Sequence, residues 1–239
     1  MWSAFKIVYN TFFYEPLLNG LLFLTNILPG YDLGLAIIVL TILIRTILFP
    51  LNHRMIKTQR AMKMIEPEIK KIQKEITKKE EQGKALMGLY KAHGINPFAG
   101  FFALLIQLPL LIALFQVFQK DILSQTDLVY SFITIPNPIH TLFLGFIELT
   151  KPSYFVAAIA AVSQFFQAKL AMPPKTNEKP SDFSAIMQKQ MVYMFPVMIF
   201  IFSVKLPSAV SLYWTVMNVF AIVHEAIVRK KAEKIGRSM

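Results

Sequence analysis

The sequence predicts an all-α protein that crosses a membrane five times and carries a helical hairpin outside it. Hydrophobic residues make up 55% of the chain and charged residues only 16%, and the mean hydropathy is +0.49. Such values are typical of a polytopic membrane protein rather than of a soluble domain. Long apolar stretches recur along the chain, and the charges between them are mostly basic, with a net charge of +11. The apolar stretches predict the fold class, and the charges predict the topology.

Residues 1–30 are expected to form an extracytoplasmic segment whose amphipathic helix lies in the membrane interface. Only 12 residues separate Pro16 from Pro29, which is too few to cross a hydrocarbon core of about 30 Å. Proline favours the first turn of a helix, and the Pro29-Gly30 pair favours its end. The N-terminus lacks the cleavage pattern of a signal peptide, so no removable leader is expected.

The first span is expected at residues 31–52. Residues 33–51 are nearly all apolar and, at about 1.5 Å per residue, are long enough to cross the hydrocarbon core. Arg45 lies well inside this stretch. Because a charge at mid-membrane costs about 2.5 to 3.5 kcal/mol, we expect its guanidinium to face a hydrated cavity, with Thr41 one turn earlier on the same face. The alternative is that Arg45 snorkels to the cytoplasmic headgroups.

Residues 53–97 are predicted to form a basic, soluble helical hairpin on the cytoplasmic side. The segment holds eleven Lys or Arg and five Glu. Apolar residues spaced alternately three and four apart indicate the first helix: Met62, Ile65, Ile69, Ile72 and Ile76. A turn is expected at Gly83, followed by a returning helix. The hairpin is either a landing platform for lipid headgroups and partners or a solvated face that orients the protein.

Four further membrane spans are expected, at residues 98–118, 152–172, 190–204 and 208–228. The remaining segments are predicted to be extracytoplasmic at 119–151 and 205–207, a cytoplasmic loop at 173–189, and a basic cytoplasmic tail at 229–239. A proline inside the second of the five spans is expected to kink it.

The distribution of charge predicts the orientation. Residues 53–97, 169–190 and 224 onward hold 20 basic and 9 acidic residues, whereas the opposite side holds 4 and 5. Because basic loops remain in the cytoplasm, the N-terminus is predicted outside and the C-terminus inside. The same clustering accounts for the net charge without a nucleic-acid target.

Uncharged polar side chains inside the spans are candidates for a hydrated interior. Gln164 and Gln167 are three residues apart, and Trp214 and Asn218 are four apart, so each pair shares a helix face. Gln107 lies near the middle of the second span. An amide facing lipid is costly, so these side chains should face one another or a common cavity. The alternative is ordinary hydrogen bonding between helices.

The sequence does not predict an enzyme, a cofactor or a metal site. The chain has no cysteine, and its four histidines show no metal-ligand spacing. The spans lack the paired carboxylates of an intramembrane aspartyl protease, and no serine has a matching base. A glycine-rich phosphate-binding loop is also absent from the sequence.

Several motifs resemble those of the YidC/Oxa/Alb membrane protein insertases, and the resemblance covers nearly the whole chain from Gly34 onward. It rests on TILIRTILFPL, on LYKAHGINPFAG followed by LLIQLP, on SQFFQAKL, and on LPSAVSLYWTVMNVF. One departure lies at Ser208-Ala209-Val210, where many members carry a glycine. The short N-terminal region resembles the compact five-span form of the family rather than members with a large periplasmic domain.

The resemblance implies five helices around a hydrophilic groove that is open to the cytoplasm and to lipid and closed on the outer side. Arg45 would attract acidic residues in the tail of an arriving single- or double-span membrane protein. Gln107 and Gln164 would line the groove, and Tyr213 with Trp214 would flank the exit path of the substrate. The apolar segment of the substrate would then partition into the bilayer.

The resemblance also implies a multi-pass protein of the bacterial cytoplasmic membrane. Expected partners are nascent membrane proteins, anionic lipids, and the ribosome through the basic tail and cytoplasmic loops. Action alone and action beside the Sec translocon are both compatible with the sequence.

Two other functions fit the same residues. A small secondary transporter or channel could bind an anionic solute at Arg45, although the five spans show no inverted repeat. A structural assembly factor would instead use the hairpin to dock partner subunits, and the groove would be incidental.

Overall fold

The computed structural model describes residues 2–96, 99–119, 126–172 and 189–236, and most of them are helical. The helices are numbered in chain order: α1 Trp2–Tyr9, α2 Glu15–Ile27, α3 Leu33–Ile47, α4 Phe49–Met64, α5 Glu66–Glu75, α6 Lys79–Ala92, α7 Ala99–Gln119, α8 Tyr154–Ala171, α9 Phe195–Ser203 and α10 Ser208–Gly236. Two π-helical turns, Asn10–Tyr14 and Gln190–Met194, precede α2 and α9. One antiparallel hairpin pairs β1, Leu142–Phe143, with β2, Ile147–Glu148.

The N-terminal helix is longer than the sequence predicts. The two prolines predict a helix confined between residues 16 and 29, whereas α1, the first π turn and α2 form one helical stretch from Trp2 onward. One face of α2 lies in the main core, with Leu17, Leu18, Leu21 and Leu22 buried. The outer side carries Phe12 and Phe23, which are 70% and 48% exposed. The stretch therefore has one face in the core and apolar side chains on its outer side, and its position in the membrane interface stays a prediction.

The π turns explain how a proline fits inside a helical stretch. Pro16 and Pro196 each lie two residues beyond the end of a π turn. A proline lacks a backbone donor, and its ring crowds the carbonyl group four residues earlier. In a π turn the hydrogen bond spans five residues, as from the Glu15 N–H to the Asn10 carbonyl. This wider turn makes room for the ring, so the helix continues.

The helix that carries Arg45 is capped at its start and ends inside the predicted first span. Asp32 accepts a hydrogen bond of 2.9 Å from the backbone N–H of Leu35 and so caps α3. The helix ends at Leu48, two residues before Pro50, and α4 runs across the boundary predicted at residue 52. Arg45 consequently lies in the last turn of α3.

The hairpin is formed by α5 and α6, but its turn is not at the predicted residue. The chain turns at residues 76–78, and Gly83 lies inside α6. The amide of Gln82 donates to the carbonyl oxygens of Gln73, at 3.2 Å, and Ile76, at 2.9 Å. These bonds satisfy carbonyl groups at the C-terminal end of α5. The helix can therefore end at Glu75, well before Gly83.

Residues 126–153 form a layer against the N-terminal ends of α3 and α10. Phe143 of β1 packs against Gly34 so closely that a Cβ atom there would overlap the phenyl ring. At the start of α10, the backbone N–H of Ser208 donates to the carbonyl of Lys151, 2.9 Å away. Leu149, between these contacts, is fully buried. The layer is thereby packed against α3 and hydrogen-bonded to α10.

In the part of the chain that the structure describes, two helical segments are long and apolar enough to cross a membrane, Tyr154–Ala171 and Ser208–Ile227. Only 28% of each is buried inside the protein, so most of this apolar surface faces outward. Three shorter apolar helical stretches lie among the described residues, at Leu33–Ile47, Gln107–Gln119 and Gln190–Ser203. α8 packs against α9 and α10, and α10 packs against α3. The polar residues predicted to form a site lie on these helices.

Candidate functional site

The arginine cluster joins Arg45, Gln107 and Tyr213 and links three helices. The Nη2 of Arg45 on α3 donates to Oε1 of Gln107 on α7, at 3.2 Å. Nε2 of Gln107 donates in turn to the hydroxyl oxygen of Tyr213 on α10, at 2.9 Å. Arg45 is partly buried, and Tyr213 is only 3% exposed. The cluster therefore lies on the inner side of α10.

The glutamine cluster joins Gln164, Gln167 and Trp214 and links α8 to α10. The indole Nε1 of Trp214 donates to Oε1 of Gln164, at 2.9 Å, and Nε2 of Gln164 donates to Oε1 of Gln167, at 3.2 Å. Gln164 is only 6% exposed. Both polar ends of its amide are thus satisfied away from lipid, as burial requires.

Asn218 and Thr41 lie outside these two clusters. Nδ2 of Asn218 donates to Oγ of Ser163 on α8, at 3.0 Å. Thr41 is buried, but its hydroxyl donates to the carbonyl of Ile37 in its own helix, at 2.6 Å. Thr41 therefore lies on a buried face, its donor is used within α3, and its place beside a hydrated cavity stays a prediction.

The contacts divide the predicted residues into separate groups instead of one continuous surface. Tyr213 and Trp214 are adjacent in the chain and about 100° apart around a helix axis, so they contact α7 and α8 respectively. α10 thereby connects the two clusters. Their side chains offer a guanidinium, amides, a phenol and an indole, which can form hydrogen bonds but include no nucleophile paired with a base.

The charge of Arg45 is the distinctive electrostatic feature of the site. Among the described residues, no acidic side chain forms an ion pair with it, and its partner Gln107 is neutral. A guanidinium has five donors and cannot lose its proton under ordinary conditions. The site is therefore suited to receive a carboxylate.

Some polar residues that form contacts between elements are absent from the predicted set. Ser163 links Asn218 to α8, and Tyr9 donates from its hydroxyl to Oε1 of Gln116 on α7, at 3.1 Å. Asn19 is 1% exposed and binds the loop after α7, because its amide donates to the Leu128 carbonyl, at 2.8 Å. Its position as a lone amide in an apolar run is a signal visible in the sequence.

Two histidines come together where α4 meets α10. The ring centre of His224 lies 4.2 Å from that of Phe49 and 5.8 Å from that of His53, and all three rings are stacked. Within the described parts of the chain, no three His, Asp or Glu residues are grouped so that they could hold a metal ion.

Comparison with known families identifies the chain. The family model described as "60Kd inner membrane protein" matches residues 23–235. The chain belongs to this family. Its members among the curated proteins include insertases that resemble the chain over most of its length, which confirms the family resemblance recognised in the motifs.

Three relatives illustrate the similarity. Membrane protein insertase YidC 2 of Bacillus anthracis is 30% identical over 239 residues, covering 97% of this chain and 86% of the relative. Membrane protein insertase YidC of Alkalihalophilus pseudofirmus is 34% identical, covering 90% and 80%. Membrane protein insertase MisCA of Bacillus subtilis is 31% identical, covering 84% and 72%.

The fold also resembles a solved structure, described as an active YidC insertase crystal structure with the first transmembrane domain resolved. The TM-score is 0.58 at 24% sequence identity, and the match covers 90% of this chain and 45% of the other. The likeness supports the helical fold.

Proposed function

We propose that the protein is a membrane protein insertase whose polar clusters form part of a hydrophilic groove. Relatives of similar length in its family are named insertases, and the family is non-enzymatic. In this account α3, α7, α8, α10 and α9 with its preceding π turn are the five spans. The polar side chains of these helices would line the groove, and their apolar outer surfaces would contact lipid.

Arg45 is the observation that carries the proposed mechanism. Arg45 lies partly buried on an apolar helix, and its guanidinium donates a hydrogen bond to the neutral amide of Gln107. Holding a charge among apolar helices is costly unless water or polar groups surround it. We assign it the role of attracting acidic residues in the hydrophilic tail of an incoming protein.

The contacts of the cluster suggest how such a tail would be received. A carboxylate could replace Gln107 as the acceptor of the Arg45 hydrogen bond, because charge-assisted bonds are stronger than bonds to a neutral amide. Gln107 and Tyr213 would then be free to bond other polar groups of the tail. The apolar segment of the substrate would leave into lipid by hydrophobic partitioning, and the membrane potential would help to move acidic residues outward.

The orientation and the partners belong to the same proposal. The charge asymmetry of the sequence supports a protein of the bacterial cytoplasmic membrane with its N-terminus outside and its C-terminus inside. The hairpin of α5 and α6 and the basic end of α10 would then face the cytoplasm. There they could contact nascent membrane proteins, the ribosome, anionic lipids and the Sec translocon.

The test is insertion of a short, acidic-tailed, single-span substrate into Sec-free proteoliposomes. The unaltered protein and Arg45→Lys should insert it, because both keep a positive charge, and Arg45→Ala should insert it poorly. Solute flux in the same vesicles is the control for a transporter. If the folded protein moves an anionic solute but inserts no substrate, the insertase proposal is wrong.

A further inference from the structure

An open apolar crevice lies on the outside of the helix bundle, between α8 and the stretch that comprises the second π turn and α9. Its volume is about 380 Å³. Its walls include Ala161, Val162 and Phe165 on one side and Tyr193, Pro196 and Phe200 on the other. None of these residues belongs to the arginine or glutamine cluster, so the crevice is a separate feature.

Two lysines extend the walls of the crevice at one end. Lys169 follows Phe165 by four residues, and Lys189 precedes Tyr193 by four, so each lies one helical turn beyond the wall. The Nζ atom of Lys169 lies 5.7 Å from the ring centre of Phe165, and the rings of Phe165 and Tyr193 lie 6.0 Å apart. Both lysines are exposed, and neither pairs with an acidic side chain among the described residues.

The α8 wall of the crevice, extended to Lys169, is nearly as long as one leaflet of a bilayer is thick. Lys169 lies eight residues after Ala161 in α8, which corresponds to about 12 Å of helix. Half of a hydrocarbon core of about 30 Å is about 15 Å. The apolar walls run from Ala161 to Phe165 on α8 and from Tyr193 to Phe200 on the other side, and the two lysines beyond them place positive charge where the headgroups of that leaflet would lie. Tyr193, near this end, is a residue type that prefers the membrane interface.

We infer that this crevice binds an anionic phospholipid, with an acyl chain between α8 and α9 and the phosphate beside Lys169 and Lys189. Charge at one end and an apolar slot along the rest match that ligand. The inference does not depend on the insertase function, since it concerns a surface away from the polar clusters.

The test is native mass spectrometry of the purified full chain titrated with phosphatidylglycerol or phosphatidylcholine. One phosphatidylglycerol should remain bound under conditions that remove phosphatidylcholine. The double variant Lys169→Gln/Lys189→Gln should weaken phosphatidylglycerol binding roughly thirtyfold, because each lysine near a headgroup contributes a several-fold gain. The matched control is Lys79→Gln/Lys91→Gln, which removes two exposed charges from α6 and should leave binding unchanged.

A second pair of variants tests the apolar part of the site without altering charge. Ala161→Trp should fill the crevice and abolish retention of the lipid. Ile159→Trp places the same bulk on an exposed position of α8 that does not line the crevice, so it should retain the lipid. Thermal unfolding of each variant verifies that it is folded.

Three results would overturn the inference. Equal retention of the two lipids would show that the lysines do not select an anionic headgroup. Unchanged binding by folded Lys169→Gln/Lys189→Gln or Ala161→Trp protein would place the lipid elsewhere. A dimer that Ala161→Trp dissociates would instead identify the occupant as a second copy of the chain.

Discussion

At the scale of single residues, the neutral partner of Arg45 governs what its charge can do. A carboxylate in place of Gln107 would neutralise the guanidinium, whereas an amide oxygen satisfies one donor and leaves the charge in place. Hydrogen bonds to charged groups contribute about 1.5 to 3 kcal/mol, so the contact positions the side chain. The remaining donors are available to water or to a substrate.

The glutamine cluster provides a test of polar contacts between helices. Trp214→Phe removes the indole donor and leaves Oε1 of Gln164 without it. We expect a loss of about 0.6 kcal/mol in the free energy of unfolding and at most about 1.7 kcal/mol, the average and the maximum measured for such bonds in a membrane protein. A double-mutant cycle with Gln164→Leu measures the coupling. Additive effects of the two substitutions would show that this bond does not stabilise the bundle.

Tyr9 gives a prediction about pH. Burial and the nearby Tyr14 raise the pKa of Tyr9 to about 12, whereas an unfolded tyrosine titrates near about 10. As the pH rises above about 10, the unfolded chain therefore loses this proton first, and the free energy of unfolding decreases. Below that pH the contribution is constant.

The comparison with Tyr9→Phe isolates this effect from the other tyrosines. Between about pH 9 and pH 11 the unaltered protein should lose more stability than the variant does, as measured by denaturant unfolding in detergent micelles. Equal losses in both proteins would show that the Tyr9 hydroxyl is not desolvated in the folded state.

Among residues, the sequence predicts polarity within the bundle better than it predicts partners. The period of a helix places Gln164 with Gln167 on one face, and they do bond to each other. It does not reveal that Trp214 contacts Gln164 while its neighbour Tyr213 contacts Gln107. Those choices depend on how α7 and α8 pack around α10, and helix packing is not encoded by spacing within a single helix.

At the scale of elements, the close contact between β1 and α3 fixes the outer layer to the bundle. Gly34 lacks a side chain where the ring of Phe143 packs, and Phe143 is 7% exposed. Gly34→Ala should therefore force the layer away from α3 and cost about 1 to 3 kcal/mol in the free energy of unfolding, as overpacked substitutions do. Thermal or denaturant unfolding measures the loss.

Two further variants control for the effect of adding a methyl group to a helix. Gly88→Ala lies in α6 with open space around it, so it should be neutral or stabilising by up to about 1 kcal/mol. Gly34→Ala should cost much less in a Phe143→Ala background, because that substitution removes the ring atoms that the added Cβ would overlap. If Gly34→Ala is as stable as Gly88→Ala, the layer is not held by this contact.

The positions of helices and turns can be predicted from the sequence where neighbouring residues determine them. They cannot be predicted where contacts between distant residues determine them. Apolar runs identify α3, α8 and α10, and Pro29-Gly30 does end the first helical stretch. The turn of the hairpin was misplaced because Gln82, rather than a glycine, terminates α5. The continuation of a helix through Pro16 depends on a π turn, and the strands β1 and β2 depend on packing against α3.

At the scale of the whole molecule, the described apolar helices surround a small number of polar contacts and the partly buried Arg45. Only a minor part of the two long spans is buried within the protein, so the fold exposes apolar surface to lipid and keeps its polar side chains within the bundle. This arrangement suits a protein that offers a polar path beside lipid. The proposed mechanism therefore depends on electrostatic attraction by Arg45.

The attraction between Arg45 and an acidic tail is tested by combining substitutions in the protein with changes in the substrate. Two single-span substrates that differ only by Asp→Asn in the tail are inserted by the unaltered protein and by Arg45→Ala in Sec-free proteoliposomes with an imposed membrane potential. Arg45→Ala is expected to slow insertion of the acidic substrate roughly tenfold, the effect of about 1.4 kcal/mol, and to leave insertion of the neutral substrate nearly unchanged. An equal loss for both substrates would contradict it, because Arg45 would then support the bundle without recognising the charge of the tail.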